Sequence, residues 1–245
     1  MASLVLEKVN AGYGRLQILF DVSFQVPDRQ ITVVVGPNGS GKSTTLKAIF
    51  GIANVYSGRI VFDGENIAGQ PPHRIAKKGI AYVPQTDNVF AKLTVGENLK
   101  MAGYGFPEDQ IRDRVEEVLE MFPILRERFG QKAGTLSGGE RQMLAIAIAL
   151  IRRPKLMMFD EPTAALAPKI ALEILDIIQR LRDEHGITIL LVEQNAKKAL
   201  EIGDRGVLLV GGRVAFEGGA RELLEHPDLG RMYLGLVAEG AKQQH

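Results

Sequence analysis

The chain has no cysteine, and its charges nearly cancel to a formal net +1. Without cysteine there is no disulfide framework and no thiolate zinc site. Without a charge excess there is no bulk electrostatic reason to bind nucleic acid, and none is expected as a partner. Long apolar runs are also missing: each falls well short of the about 20 residues needed to span a bilayer. The N-terminus lacks the pattern of a secretory signal. The expectation is a soluble, cytoplasmic protein, with docking on a membrane protein left open. Hydrophobic residues make up 45% of the 245. That composition supports a large core, as one domain or as a core with an inserted lobe.

Against that background one stretch stands out, Gly36-Pro37-Asn38-Gly39-Ser40-Gly41-Lys42-Ser43-Thr44. It follows an apolar, β-branched run, Ile31 to Val35, and precedes helix-forming residues, Leu46 to Phe50. The spacing fits G-x-x-x-x-G-K-[ST], the phosphate-binding loop. Glycine lets such a loop fold so that successive backbone N–H groups converge on one centre. The helix behind it adds unpaired donors and a positive dipole end. On this reading Gly36, Asn38, Gly39, Gly41 and Thr44 belong to the cradle. Lys42 reaches the β- and γ-phosphates, and the Ser43 hydroxyl ligates Mg²⁺. The alternative is a glycine-rich turn with a solvated lysine; the complete spacing and both flanking elements argue against it.

The residues before the loop read as strands, Leu4 to Val9 with period two and Val22 to Val26 after Asp21. Gly12-Tyr13-Gly14 is the expected turn between them. Tyr13 either stacks on an adenine ring or packs at a sheet edge; the pattern leaves both open. Beyond the loop, Arg59 to Phe62 is a strand turning at Asp63-Gly64. Pro71-Pro72 opens a short helix on which His73 is a surface residue. Ile80 to Val83 is a strand stopped by Pro84-Gln85. Polar residues at strand ends line the crevice of open α/β sheets, so Gln85 is a candidate amide for metal, water or phosphate.

From about residue 87 to 150, helical periods replace strand patterns. Pro107-Glu108-Asp109 starts a helix with Ile111, Val115, Val118, Leu119 and Phe122 on its apolar stripe, and Pro123 ends it. Ser137 and Glu140 then have capping-box spacing, ahead of an apolar helix from Met143 to Ile151. Gly138 and Gly139 are not required for capping; they would let a second anion approach the helix end. If this helix belongs to a separate lobe, its positive end sits more easily over another subunit's phosphate loop than over its own.

Leu156 to Phe159 is a buried strand that ends in Asp160-Glu161-Pro162. Asp160 would orient the Mg²⁺ shell. Glu161 is the better general base, polarising a water for attack on the γ-phosphate. Two turn carboxylates would be the alternative for this segment alone; the phosphate loop favours the catalytic reading. Lys169 onwards is amphipathic through Ile170, Ile174, Ile178 and Leu181, up to Gly186. Ile187 to Val192 is another buried strand. Gln194 behind it contacts the γ-phosphate or positions water, or else caps the segment from Ala196. Gly206 to Val210 and Arg213 to Phe216 form a strand pair around Gly211-Gly212. Glu222 to Leu224 and Met232 to Leu236 read as terminal helical pieces, and Gly240 to His245 as a frayed tail.

Together these motifs resemble the ATP-binding subunits of ABC transporters over nearly the whole chain. Leu136-Ser137-Gly138-Gly139-Glu140, at this separation before Asp160-Glu161, makes the resemblance specific. It implies an α/β fold: a P-loop NTPase core of the ABC ATPase type, with an N-terminal antiparallel β-subdomain and an inserted helical subdomain. Residues 1–86 and 151–245 would be the two parts of the core, and 87–150 the helical signature subdomain. Implied cofactors are ATP and Mg²⁺. Tyr13 resembles the adenine-stacking aromatic. Gln85 resembles the glutamine that senses Mg²⁺ and the membrane partner. Ser137, Gly138 and Gly139 resemble the signature that faces ATP on the opposite subunit, and Ala165 to Pro168 the loop that crosses the dimer seam.

Ala11-Gly12-Tyr13-Gly14, Leu144-Ala145-Ile146-Ala147, Leu166-Ala167-Pro168 and Leu191-Val192-Glu193-Gln194-Asn195 resemble most closely the ATPases of branched-chain amino acid importers. Urea and short-amide importers share much of this pattern, and exporters share the general motifs. A nucleotide-gated interaction protein with little turnover is a reading of another class, against which Glu161 argues. The implied partners are a second, identical or closely related ATPase subunit, transmembrane permease subunits, and indirectly an extracytoplasmic solute-binding protein. The implied place is the cytoplasmic face of the cell membrane, as a peripheral protein. Two departures matter. Gln194 stands where most ABC ATPases have a switch histidine, as is usual in this subgroup, and leaves a neutral amide at the γ-phosphate. Ala165 stands where the subgroup commonly has glycine, and its methyl is expected to restrict the backbone.

Overall fold

In the computed structural model, which describes residues 2–86 and 88–226, the two kinds of strand pattern separate into two sheets. The alternating segments build an antiparallel sheet of order β2-β1-β4-β5, from β1 (Ala2–Tyr13), β2 (Leu16–Pro27), β4 (Asn54–Phe62) and β5 (Glu65–Asn66). The continuous apolar runs build the second sheet, of order β10-β9-β3-β8-β7-β6. Its members are β3 (Ile31–Val35), β6 (Ile80–Val83), β7 (Leu156–Asp160), β8 (Thr188–Val192), β9 (Arg205–Val210) and β10 (Arg213–Gly219). Every pairing from β9 through β6 is parallel; only β10 runs antiparallel, at one edge. A sheet covered on both faces needs apolar residues at every position, and β3, β7 and β8 are buried throughout.

The hairpin departs from the simple alternation. Leu4 and Leu6 are buried, but the next buried position is Val9, because the pairing slips a residue at Lys8, whose φ is 48°. The partner strand slips on the other side of the Val9–Val22 pair: Leu19 is followed by Val22, with Asp21 at φ 51°. These β-bulges shift the phase of the core-facing set along the strand. The turn is also shorter than expected. β1 continues through Gly12 and Tyr13, and Gly12 pairs with Gln17 so closely that a Cβ there would lie 2.0 Å from the Leu16 carbonyl.

Alternate residues of the central strands belong to opposite cores. Val33, Val35, Met157, Phe159, Ile189 and Leu191 join one cluster with the later helices. Val34, Leu156, Met158, Leu190 and Val192 join the other, with the antiparallel sheet and α1 (Lys42–Ile49). Between β6 and β7 the chain leaves the sheet for α3 (Val95–Ala102), α4 (Glu108–Met121), α5 (Pro123–Glu127) and α6 (Gly138–Leu150). Pro123 ends α4 as expected, and it also opens α5, where a missing N–H costs nothing. Elsewhere α2 (Pro72–Lys77) carries the exposed His73. α7 (Pro168–Asp183) leads into β8, and α8 (Ala196–Ile202) and α9 (Ala220–Leu224) flank the last strand pair. The expected helix at Met232 to Leu236 and the tail from Gly240 lie outside the described residues.

Removing core contact from a strand paired on both sides should be costly. Ile189→Ala, in β8, is expected to lower unfolding free energy by about 2–5 kcal/mol in a urea titration. Leu16→Ala, at the 64% exposed start of β2, should change it by less than about 0.5 kcal/mol. Equal losses would contradict this assignment of the core.

Candidate active site

Because β3, β6, β7 and β8 are mutually parallel in one sheet, the loops that follow them emerge along the same edge. Those loops carry Gly36–Thr44, Gln85, Asp160-Glu161 and Glu193-Gln194. The first is shaped by glycine. Gly36 has φ 154°, and a Cβ there would lie 2.0 Å from the Leu209 carbonyl oxygen. Gly41, at φ 99°, is the N-cap of α1 and leaves no room for a Cβ against Leu19. Such an N-cap has no side chain to occupy the first N–H donors of α1, and there is no acidic residue in that turn. The helix start therefore keeps its donors and positive dipole end for an anion.

Lys42 begins α1 and is 5% exposed. Its Nζ donates to the carbonyls of Gly36 at 2.9 Å and Pro37 at 3.2 Å, and lies 3.9 Å from Glu161 Oε1. Burial lowers the amine's pKa, opposed by the carboxylates of Glu161, Asp160 and Glu193. Ser43 donates from Oγ to Asp160 Oδ1 at 2.7 Å, which joins the phosphate loop to the end of β7. Gln85 donates from Nε2 to Glu161 Oε2 at 3.4 Å. Gln194 donates from Nε2 to Asn38 Oδ1 at 3.3 Å, so this amide reaches the phosphate loop. The helix-capping alternative falls to its neighbour: Asn195 is the N-cap of α8 and accepts from the Lys198 N–H. Thus Lys42, Ser43, Gln85, Asp160, Glu161 and Gln194 meet at one sheet edge. Tyr13, 41% exposed at the end of β1, presents an accessible ring rather than a packed one.

The donor set around Ser43 and Asp160 is a hydroxyl and a carboxylate, with the Gln85 amide beside Glu161. All-oxygen ligation of this kind fits a hard divalent cation that is completed by phosphate oxygens and water. Among the described residues no group of three or more His, Cys, Asp or Glu side chains could hold a metal by itself.

Two residues at the site were not picked out by pattern. Tyr82 is one residue of an apolar strand run, yet its hydroxyl donates to Asp160 Oδ2 at 2.9 Å. Glu193 is 2% exposed and accepts from the backbone N–H of Thr163 at 3.0 Å and of Gln194 at 3.2 Å. Burial raises its pKa, and those two N–H groups partly offset the rise. Nothing in the strand pattern separates a capping acid from a solvated one. Thr163 opens the loop in which Ala165 sits at φ 59°, and Glu161 itself has φ 48°. A left-handed non-glycine residue costs about 1–2 kcal/mol. The expected restriction at Ala165 is therefore a strain the surrounding loop must hold.

Ser137 forms the expected capping box: its Oγ accepts from the Glu140 N–H at 3.3 Å, and its own N–H donates to Glu140 Oε2 at 2.8 Å. Those hydrogen bonds lower the pKa of Glu140. The two glycines have a packing reason beyond the one read from sequence. A Cβ on Gly139 would sit 2.4 Å from Ile170 Cγ2, and one on Gly138 3.2 Å from Leu166 Cδ2. Their smallness lets the start of α6 close on α7 and the loop before it.

The comparisons agree with this geometry. A family profile described as ABC transporter matches residues 19–164, more than half of the chain. The probable branched-chain amino acid transport ATP-binding protein LivF of Archaeoglobus fulgidus is 57% identical over 230 residues, 94% of this chain and 98% of the relative. The high-affinity branched-chain amino acid transport ATP-binding protein BraG of Pseudomonas aeruginosa is 45% identical over 232 residues, 95% of this chain and 99% of the relative. A crystal structure of the ADP conformation of an ATP-binding cassette of an ABC transporter superposes with a TM-score of 0.86 at 29% identity, covering 96% of this chain and 99% of the other. With the phosphate loop, the paired carboxylates and the capped double glycine in place, the chain belongs to the ABC transporter family, as one of its ATP-hydrolysing subunits.

Proposed function

We propose that this subunit energises the import of branched-chain amino acids by hydrolysing ATP with Mg²⁺. The observation that carries the chemistry is the pair of contacts across the sheet edge, Ser43 Oγ to Asp160 at 2.7 Å and Lys42 Nζ to Glu161 at 3.9 Å. The nucleotide would lie with its phosphates on the start of α1, its γ-phosphate between Lys42 and Gln194, and its base on Tyr13. Ser43, Asp160 and Gln85 would hold Mg²⁺, which supplies charge neutralisation along the phosphates. Glu161 then takes a proton from the attacking water. Its approach to Lys42 at 3.9 Å and its bond from Gln85 at 3.4 Å orient it. Gln194 contributes a hydrogen bond only, since an amide does not titrate near neutral pH.

The direction and the substrate rest on the two relatives named for branched-chain amino acid transport, read together with Gln194-Asn195 behind β8. In this reading residues 87–150 act as a lobe apart from the core of 1–86 and 151–245. The Ser137–Gly139 segment of one subunit closes on the phosphates held by the other. Permease subunits take up the motion through that lobe and the Gln85 loop, at the cytoplasmic face of the membrane, and an extracytoplasmic solute-binding protein delivers the substrate. Among the described residues no helix is long and apolar enough to cross a membrane.

Glu161→Gln keeps size and removes the base. It is expected to retain ATP binding, to lose nearly all turnover and to trap an ATP-bound dimer. Lys42→Ala should instead weaken nucleotide binding, because the phosphates lose a charged hydrogen-bond donor. Phosphate release by Glu161→Gln at the parental rate under saturating Mg·ATP would assign the base elsewhere.

The paired arrangement is tested by crosslinking, in a chain with no cysteine of its own. Asn38 and Gly138 are both exposed, whereas Ser40 in the same loop is buried. The double variant Asn38→Cys, Gly138→Cys should give a dimer-mass product under oxidant only when ATP is present. A product confined to monomer mass would overturn the head-to-tail pairing. Ser137→Arg should bind ATP normally yet fail to dimerise, since local loss of a cap costs only about 0.5–2 kcal/mol.

A further inference from the structure

Asp160 is 4% exposed, and each of its two oxygens meets a different hydroxyl. Oδ1 accepts from Ser43 at 2.7 Å and Oδ2 accepts from Tyr82 at 2.9 Å. The donors come from different elements. Ser43 sits in the first turn of α1, while Tyr82 lies on β6, the edge strand next to β7. In the parallel register Tyr82 faces Met158, so its long side chain reaches two residues onward to Asp160. Phe50, just past the end of α1, lies against it with ring centroids 5.5 Å apart. The phenol is therefore held at its ring by one end of α1 and spends its proton on the carboxylate.

A carboxylate that is to ligate a cation needs one oxygen free for the metal and its plane fixed by the other. We infer that Tyr82 is a positioning residue for the cation site: its hydroxyl pins Oδ2 of Asp160 and so turns Oδ1 toward Ser43, where Mg²⁺ would be shared. The inference rests on the proposed role of Asp160. Hydrogen bonds to a ligating carboxylate typically tune metal affinity by about 10–100-fold. Tyr82 is also three residues before Gln85, which bonds Glu161. The edge strand and the loop that follows it thus hold both carboxylates at the end of β7, one for the cation and one for the base.

The test measures Mn²⁺ affinity, by electron paramagnetic resonance, in the full chain saturated with a non-hydrolysable ATP analogue. Affinity for the analogue alone is measured separately in excess EDTA. Tyr82→Phe is expected to weaken Mn²⁺ about tenfold while its EDTA affinity for the analogue stays at the parental value. Phe50→Leu removes the ring contact but keeps the hydroxyl, and should leave Mn²⁺ affinity intact. Asp160→Asn should weaken Mn²⁺ at least as much as Tyr82→Phe. If Asp160→Asn weakens Mn²⁺ but Tyr82→Phe does not, the positioning role is wrong and the reading of Asp160 stands. If neither variant changes it, both are wrong. A Tyr82→Phe chain that loses the analogue in EDTA, or a Phe50→Leu chain that loses Mn²⁺ equally, would assign Tyr82 to packing and overturn the inference.

Discussion

Parallel strands ending at one level are the constraint on which this site depends. β3, β8, β7 and β6 are neighbours in one sheet and share a direction. Their carboxyl ends place Gly36, Glu193, Asp160 and Val83 along a single edge, and the loops that follow have only a few residues in which to converge. A hydrogen bond of 2.7 Å between Ser43 and Asp160 spans 117 residues of sequence. It needs both strands buried on both faces, because a sheet free to shift by one residue would exchange its two cores.

The edge so formed concentrates charge in a place that resists it. Lys42 is almost fully buried among three carboxylates, Asp160, Glu161 and Glu193. Isolated, each would carry a large desolvation cost. Each instead has assigned partners. Lys42 has two loop carbonyls, Asp160 two hydroxyls, Glu193 two backbone N–H groups and Glu161 both Lys42 and Gln85. A bound polyphosphate adds negative charge to this cluster. The start of α1, with no acidic residue and no capping side chain, is the feature that favours it.

Small residues and strained ones do complementary work around the edge. Gly138 and Gly139 let α6 meet Leu166 and Ile170. That places the capping box directly beside the loop in which Ala165 is left-handed. Glu193, bonded to Thr163 at the start of that loop and to the backbone of Gln194, ties the two segments behind the phosphate loop together. The proposed γ-phosphate contact, the proposed base and the loop proposed to cross between subunits are therefore joined by short polar contacts.

The local motifs were legible in the amino-acid sequence because their chemistry is local. The phosphate loop needs its glycines and lysine at fixed offsets, and the capping box needs Ser137 and Glu140 three apart. The apolar runs before each loop announce strands buried on both faces. The helical periods read from about 87 to 150 likewise mark the excursion between β6 and β7. Legibility ended where a residue's role depends on what another element brings to it. The bulges at Lys8 and Asp21 arise from pairing between strands, and no single strand's pattern contains them. Gln194 was ambiguous until tertiary structure set it against Asn38 and gave the cap to Asn195. Tyr82 and Glu193 read as a core tyrosine and one polar residue among several. Only the alignment of four strand ends decided that their polar atoms meet Asp160 and Thr163, because a hydrogen bond is fixed by position in space and a period records only which face a residue occupies.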